Sequence, residues 1–233
     1  MRYNLTDMID TIDLGTLEYR KAWSVQEQIH EQVSGGGAEK ILIVEHPPVI
    51  TIGRRAQGAE HLLANAEDLA RLGVDFVHSD RGGDITFHGP GQIVVYPIIR
   101  LNDHGLSVGG YVRALERSVI AALAQMGIAA HREDGAVGIW TGVGKICAIG
   151  VRIRRGVSLH GLALNVTTDL RYFNLIVPCG LTGRTVTSVQ QILGERMPRV
   201  SHIKESLIAG LCHALQPGTL DKNALTGPPA QSA

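Results

Sequence analysis

The order of apolar segments constrains this chain more than any single motif does. Apolar positions recur at helical spacing over residues 17–33 and stop at Gly35-Gly36-Gly37, which predicts a helix with a glycine terminator. Ile41-Leu42-Ile43-Val44 then reads as a short, fully buried strand, broken at Pro47-Pro48 and resumed at Val49-Ile50-Thr51-Ile52. Residues 59–72 carry a helical pattern ending at Gly73, and 74–77 look extended. Residues 84–100 read as two strands folded into a hairpin at Gly89-Pro90-Gly91. The strongest helical pattern covers 108–126, where Tyr111, Leu115, Val119, Ala122 and Leu123 share a face. Strands are expected at 128–131, 137–140, 146–153 and 158–166, and helical segments at 188–193 and 201–215. This irregular alternation lacks the βαβ rhythm of a doubly wound sheet. The expected fold class is α/β (α+β), a single domain with a mixed, largely antiparallel sheet packed by helices.

With 233 residues the chain is long enough for one substantial core. One domain is expected over 1–216, followed by a loose tail at 217–233 rich in Pro, Gly, Ser, Thr and Ala. Formal net charge is zero, so no global field recruits nucleic acid or an anionic membrane, although a local patch could still recruit an acidic partner. Cys147, Cys179 and Cys212 are odd in number and widely spaced, which suggests neither disulfides nor zinc and points to a reducing compartment. The N-terminus has no basic segment followed by an apolar run, and no apolar stretch approaches the roughly 20 residues of a membrane span. A cytoplasmic location is expected.

Cys179 stands apart from the other two cysteines. It lies in Val177-Pro178-Cys179-Gly180-Leu181-Thr182-Gly183-Arg184, a turn-forming polar segment in which Pro178 fixes φ while Gly180 and Gly183 let a ligand approach the main chain. A presented thiol is how a nucleophile is placed; the competing interpretation is a packed cysteine, which is common. The densest motif is Arg81-Gly82-Gly83-Asp84-Ile85-Thr86-Phe87-His88-Gly89-Pro90-Gly91-Gln92. Period-two alternation puts Ile85 and Phe87 on one side and Asp84, Thr86 and His88 on the other. Its glycines exceed what one turn needs, which favours close approach of backbone to substrate over a solvated hairpin.

Two further strands carry small residues: Ala148 with Gly150 in Gly144-Lys145-Ile146-Cys147-Ala148-Ile149-Gly150, and Gly161 with Ala163 in His160-Gly161-Leu162-Ala163. Small residues on paired strands leave room for an apolar chain, or for a closely packed helix. No G-x-x-x-x-G-K-[ST] loop appears, since Gly142-Val143-Gly144-Lys145 runs on into Ile146, so ATP use has no support and no cofactor or metal is expected.

A thiol with a pKa near 8.5 is mostly protonated at neutral pH. Lowering it by ~2 units takes ~2.7 kcal/mol, and an ammonium about 4 Å away at an effective dielectric of about 20 supplies roughly 4 kcal/mol. Lys145 is sufficient for this, with His88 and His160 as alternatives. Strict alternation places Lys145 opposite Ala148 and Gly150, so either the strand is irregular near Gly144 or the lysine and the slot are separate sites.

Taken together, these segments resemble the lipoyl(octanoyl) transferases, which move an octanoyl group from acyl carrier protein to a lysine of a lipoyl domain. The resemblance runs through Glu45-His46-Pro47-Pro48, Arg81-Gly82-Gly83, His88-Gly89-Pro90-Gly91-Gln92, Lys145 to Gly150, His160-Gly161, Pro178-Cys179-Gly180 and Thr187-Ser188. Phe87 stands where tyrosine or tryptophan is frequent, Ile50 where tyrosine is common and Cys147 where alanine is common. The resemblance implies Cys179 as the acyl-thioester nucleophile and Lys145 as the group that lowers its pKa. It also implies substrate binding by Arg81, Gly82, Gly83, Asp84, Ile85, Thr86, Phe87 and His88, by Ala148, Ile149 and Gly150, and by Gly161, Leu162 and Ala163. The implied fold is that of the biotin and lipoate protein ligase core. The implied partners are octanoyl-acyl carrier protein as donor and, as acceptors, lipoyl domains of 2-oxoacid dehydrogenase complexes and the glycine cleavage H protein. An ATP-dependent lipoate ligase and a non-catalytic acyl-binding module are the rival functions.

Overall fold

The computed structural model describes residues 9–55, 61–177 and 185–216. Cys179 and the tail from residue 217 lie outside the described residues. Among the described residues there are ten strands: β1 (Asp10–Thr16), β2 (Lys40–Glu45), β3 (Val49–Ile52), β4 (Asp75–His78), β5 (Ile85–His88), β6 (Gln92–Ile98), β7 (Ala130–Glu133), β8 (Ala136–Thr141), β9 (Lys145–Arg154) and β10 (Val157–Asn165). The α-helices are α1 (Tyr19–Ser34), α2 (Ala66–Arg71), α3 (Val108–Gln125), α4 (Val189–Leu193) and α5 (Val200–Leu215).

Seven strands form one sheet in the order β1-β2-β6-β10-β9-β8-β7, and β4-β3-β5 form a second. The large sheet is antiparallel except for the edge pair β1–β2, so the sheet is mixed, as expected. Its two faces are sorted by the pleat. Ile41, Ile43, Ile93, Val95, Leu162 and Leu164 face α3 and α5, burying Leu115, Val119, Leu207 and Leu211. Leu42, Val44, Val94, Tyr96 and Ala163 face the other way, toward Ala22 and Val33 of α1. The small sheet has its own core of Ile50, Ile52, Ile85 and Phe87, closed by Phe173 and Ile176.

Four departures from the expected elements have physical causes. First, β5 and β6 flank Gly89-Pro90-Gly91 but are not a hairpin: β5 pairs with β3 in the small sheet, and β6 with β2 and β10 in the large one. The turn carries the chain between sheets, and Gly91 (φ 80°) lies so close to Thr167 that a Cβ would come within 2.4 Å of its Oγ1. Second, the helix expected over 59–72 contracts to α2. The Asn65 side chain caps it by accepting from the Asp68 N–H (2.9 Å), while Leu62 bridges to Ile176 in strand fashion. Third, β1 escapes the pattern because its burial is weak and its residues are largely polar, as edge strands often are.

The fourth departure is in the register of β9 and β10 with their neighbours. Register pairs Trp140 with Lys145 but Ile139 with Cys147, leaving Ile146 as the extra residue of a β-bulge. Ile146 and Cys147 therefore both enter the α3/α5 core. On β10, the pairs Leu162–Val95 and Val157–Arg100 put Pro97 across from His160. Proline has no N–H for the ladder. His160 responds with φ 58°, and its own N–H donates to Gln26 Oε1 of α1 (2.8 Å). That twist turns the His160 ring to the α1 side, where it meets Trp23 and Tyr96.

Gly161 follows this distortion, and a Cβ there would lie 2.1 Å from the Val95 carbonyl oxygen and 2.9 Å from Pro97 Cδ. Both neighbours belong to an inner strand that has little freedom to yield. Gly161→Ala is expected to lower stability by about 3 kcal/mol, at the upper end for overpacking. Gly109→Ala, built into open space on α3, should cost nothing. Urea midpoints of the two variants test this, and equal midpoints would remove the close-approach explanation.

Candidate active site

A cleft of about 480 Å³, counting its open mouth, lies between the α1-side face of the large sheet and the small sheet. Register defines its floor as two rows. Ala163 pairs with Val94 on one side and with Ala148 on the other. Two residues on, Gly161 pairs with Gly150, with Tyr96 on the neighbouring strand. The roof comes from the loop and strand over residues 81–88 and from Tyr19 at the start of α1.

Lys145 stands at the strand end of the first row. The bulge at Ile146 restores it to the face that carries Ala148, so lysine and slot share one cavity, which answers the alternation conflict in the sequence. Lys145 is 7% exposed; its Nζ donates to the Val137 carbonyl (3.0 Å) and lies 5.3 Å from the centre of the Trp140 ring. The side chain fits because residue 138 is glycine (φ 127°), where a Cβ would sit 2.6 Å from Lys145 Cε. Gly144 has a matching role, since a Cβ there would strike the Thr185 carbonyl at 2.7 Å. This closeness lets the Lys145 N–H donate to Thr185 O (3.0 Å) and the Thr187 N–H donate to Lys145 O (2.9 Å). At the other described flank, the Val177 N–H donates to His61 O (2.7 Å), and the His61 ring meets Asp84 at 2.5 Å.

A ring cluster closes the opposite end. His46 Nδ1–H donates to Leu17 O (2.6 Å), so its Nε2 accepts from the Tyr96 hydroxyl (2.8 Å). The Gln92 amide donates to Phe87 O (3.3 Å) and Asn165 Oδ1 (2.9 Å), leaving Gln92 Oε1 to accept from His88 Nδ1–H (2.7 Å). Tyr19 stacks on His88 with ring centres 5.8 Å apart and shares a 2.8 Å hydrogen bond with Ser79. Burial holds His46 down to about 4, and holds His88 well below the usual imidazole range, with the charges of His46 and Arg81 adding to the effect. His160 Nε2–H donates to Asp80 Oδ1 (2.6 Å), a contact that alone would raise the imidazole. Asp80 also engages Arg152, however, and burial followed by the Arg81 charge prevails, holding His160 down to about 3. The ring cluster is therefore uncharged at neutral pH.

The structure gathers most of the sequence-derived candidates here. Arg81, residues 83–86, His88, residues 148–150 and residues 161–163 line the same cleft as Lys145. Gly82 and Phe87 are not on its surface. The Gly82 N–H stitches the loop to Val151 O (2.9 Å), and the Phe87 ring stacks on Tyr172 (4.8 Å between centres) inside the small-sheet core. Tyr19, Tyr96 and Gly138 were not singled out by sequence, since in periodicity the aromatics look like core positions and one glycine looks like any other, and His46 entered only as part of the Glu45-His46-Pro47-Pro48 segment. Burial pushes the Cys147 thiol up to about 12 and raises Cys212, so both are packing residues.

The fold and the cleft define a class of protein, and comparison agrees with it. Residues 18–212 match the lipoyl protein ligase A/B catalytic domain. A lipoate-protein ligase A structure bound with ATP superposes with a TM-score of 0.76 at 19% identity, covering 89% of this chain and 85% of that one. The biotin protein ligase from Aquifex aeolicus, in complex with biotin and ATP, gives 0.53 at 13% identity, over 88% and 70%. At such identities the likeness is one of fold. Sequence narrows the class: the octanoyltransferase of Chloroflexus aggregans is 49% identical over 203 residues, 85% of this chain and 91% of that protein. The chain belongs to the octanoyltransferase family within this catalytic-domain class.

The buried histidines set a pH signature for stability. An unfolded histidine titrates near 6.5, whereas His46 and His160 resist protonation down to about 4 and about 3. Between those values the unfolded chain binds more protons, so the stability they confer is complete above about 6.5 and is lost progressively as pH falls toward 4. His104, raised by its hydrogen bond to Glu39, acts in the opposite sense. The melting temperature should therefore fall from pH 7 to pH 4.5, and His46→Gln should lower it at pH 7 while flattening the slope. A variant slope equal to that of the wild type would exclude His46 as a source of the acid sensitivity.

Proposed function

We propose that this protein transfers an octanoyl group from octanoyl-acyl carrier protein to a specific lysine of lipoyl domains through a thioester on Cys179. The observation that carries this reading is Lys145 at the head of a slot floored by small residues, with its main chain hydrogen-bonded to Thr185 and Thr187. These residues follow the segment that bears Cys179. The first step forms a bond between Cys179 Sγ and the acyl carbon and breaks the bond from that carbon to the carrier sulfur; the carrier thiol departs with a proton. In the second step the neutral acceptor amine attacks the same carbon, an amide forms, and the cysteine thiolate leaves. The Lys145 ammonium favours the thiolate before attack and gives its proton to the departing carrier sulfur, and the neutral Lys145 amine then takes the proton that the acceptor amine loses.

Two further observations favour this reading. Cys147 and Cys212 are buried thiols held in the protonated form, which leaves Cys179 to act. The apolar floor of Val94, Ala148 and Ala163 suits an aliphatic chain, and closing such a slot over the thioester keeps water from it. The acceptors that fit are lipoyl domains of 2-oxoacid dehydrogenase complexes and the glycine cleavage H protein, and the scheme uses neither ATP nor a metal. No helix among the described residues is long and apolar enough to cross a membrane, which accords with action in the cytoplasm.

Mass spectrometry after mixing with octanoyl-acyl carrier protein separates this scheme from its rivals. A mass increase of one octanoyl group on Cys179 without ATP is expected. Adduct formation only with ATP would indicate a ligase, and tight binding with no adduct a binding module. The role of Lys145 is tested by Lys145→Met, which keeps an unbranched stem and removes the charge. Alkylation of Cys179 at pH 7, in a Cys147→Ala/Cys212→Ala background, should slow on the order of tenfold to a hundredfold, with partial recovery at higher pH. Coincident pH profiles for the two forms would show that Lys145 does not tune the thiol.

A further inference from the structure

The glycines of the slot do not provide its length. A Cβ on Gly150 would meet the Gly82 carbonyl at 2.6 Å and Arg81 Cδ at 3.4 Å, so the space above that glycine is already filled by the loop. A Cβ on Gly161 would strike β6. The open part of the floor is the row Val94–Ala163–Ala148, and the next row is closed by the Tyr96 ring and the Arg81 stem. Because Ile146 is the bulge residue, Lys145 and Gly150 are about four regular steps apart along β9, about 13 Å at roughly 3.3 Å per residue. The lysine side chain runs sideways to β8, where its Nζ donates to Val137 O. An extended eight-carbon acyl chain, with C–C bonds of ~1.5 Å, spans roughly 9–10 Å, less than that length.

The closing groups are locked. The Tyr96 hydroxyl donates to His46, which is itself fixed to Leu17 O. Arg81 donates to Thr51 Oγ1 (3.0 Å), Thr51 O (2.6 Å) and Gly82 O (3.0 Å). His160 stands edge-on behind Tyr96, with ring centres 6.3 Å apart, and is tied to Asp80. A side chain held at both ends does not swing aside for a longer ligand.

We infer that Tyr96, backed by His160 and Arg81, is the end wall that sets the length of acyl chain this enzyme accepts. The inference rests on the acyl-transfer reading for its ligand but not for its geometry, so it is tested in two ways. Binding of six-, eight-, ten- and twelve-carbon fatty acids to Cys179→Ser needs no chemistry. Acylation of Cys179 by carriers of the same lengths does. One methylene in an apolar pocket is worth about 10- to 200-fold. Tyr96→Val should therefore raise the ten- to eight-carbon ratio at least tenfold in both measurements, while Tyr96→Phe, which keeps the ring, should stay within about twofold of wild type. A folded Tyr96→Val with the wild-type ratio overturns the wall. If Tyr96→Val does not fold, Ala163→Leu takes its place: it fills the row nearer Lys145 and should move the optimum to six carbons, and an optimum kept at eight overturns the row order. Shifted binding without acylation by any donor leaves the wall standing and removes the transfer reading; normal acylation with an unshifted ratio does the reverse.

Discussion

One extra residue in β9 decides whether Lys145 and the small-residue floor share one cleft. Without the bulge at Ile146, alternation would send Lys145 into the core that faces α3 and α5, away from Ala148. With it, Ile146 and Cys147 supply two successive core side chains and the lysine reaches the cleft. The surrounding glycines are consequences of that choice. Gly138 vacates the volume through which the lysine stem passes, and Gly144 admits the main chain of Thr185 against the strand end. A bulge is tolerated here because β8–β9 lies toward the sheet edge, where one irregular pair does not propagate into the β6–β10 centre.

The second irregularity, at the sheet centre, serves a different purpose. Pro97 removes a ladder donor from an inner strand, a position where proline is seldom found. The opposing His160 adopts a left-handed conformation that a non-glycine residue reaches only at a cost of about 1–3 kcal/mol. Its displaced N–H is satisfied by Gln26, and its ring gains Asp80. Backbone strain on β10 thus places an imidazole at the end of the cleft that regular pleating would have turned to the opposite face. Fold and site are coupled through that one residue.

Much of this was legible in the sequence, and what was not has definable causes. Periodicity located α1, α3, α5 and most inner strands because each has one strongly apolar face. It could not assign β5 and β6 to different sheets, since a glycine-proline turn looks the same whether the strands it joins pair with each other or part. Small residues at 148, 150, 161 and 163 marked strands that line the cleft, but smallness does not reveal what occupies the vacated volume. At Gly150 it is the Arg81–Gly82 loop and at Gly161 the neighbouring strand. The conflict between Lys145 and the alternation rule was itself informative, because it identified where the strand had to be irregular.

The electrostatic arrangement follows from the same packing. Three imidazoles face or adjoin the cleft, and if protonated they would compete with Lys145 for any anion formed there and would draw in water. Burial keeps all three neutral. The Arg81 guanidinium donates to Thr51 and Gly82, and its charge helps to keep the neighbouring imidazoles neutral. In surroundings of low polarity an ammonium acts over several ångströms with little screening, so Lys145 acts on groups at its own end of the slot while the neutral rings add no charge at the other. A uniformly basic pocket would favour thiolate formation equally well, but it would hold the carboxylate of a released fatty acid and lose the apolar grip on the chain. Separating the Lys145 cation at one end from neutral rings at the other, with the Arg81 guanidinium tied to Thr51 and Gly82, lessens both faults, and the separation depends on the bulge at one end of the floor and the strained histidine at the other.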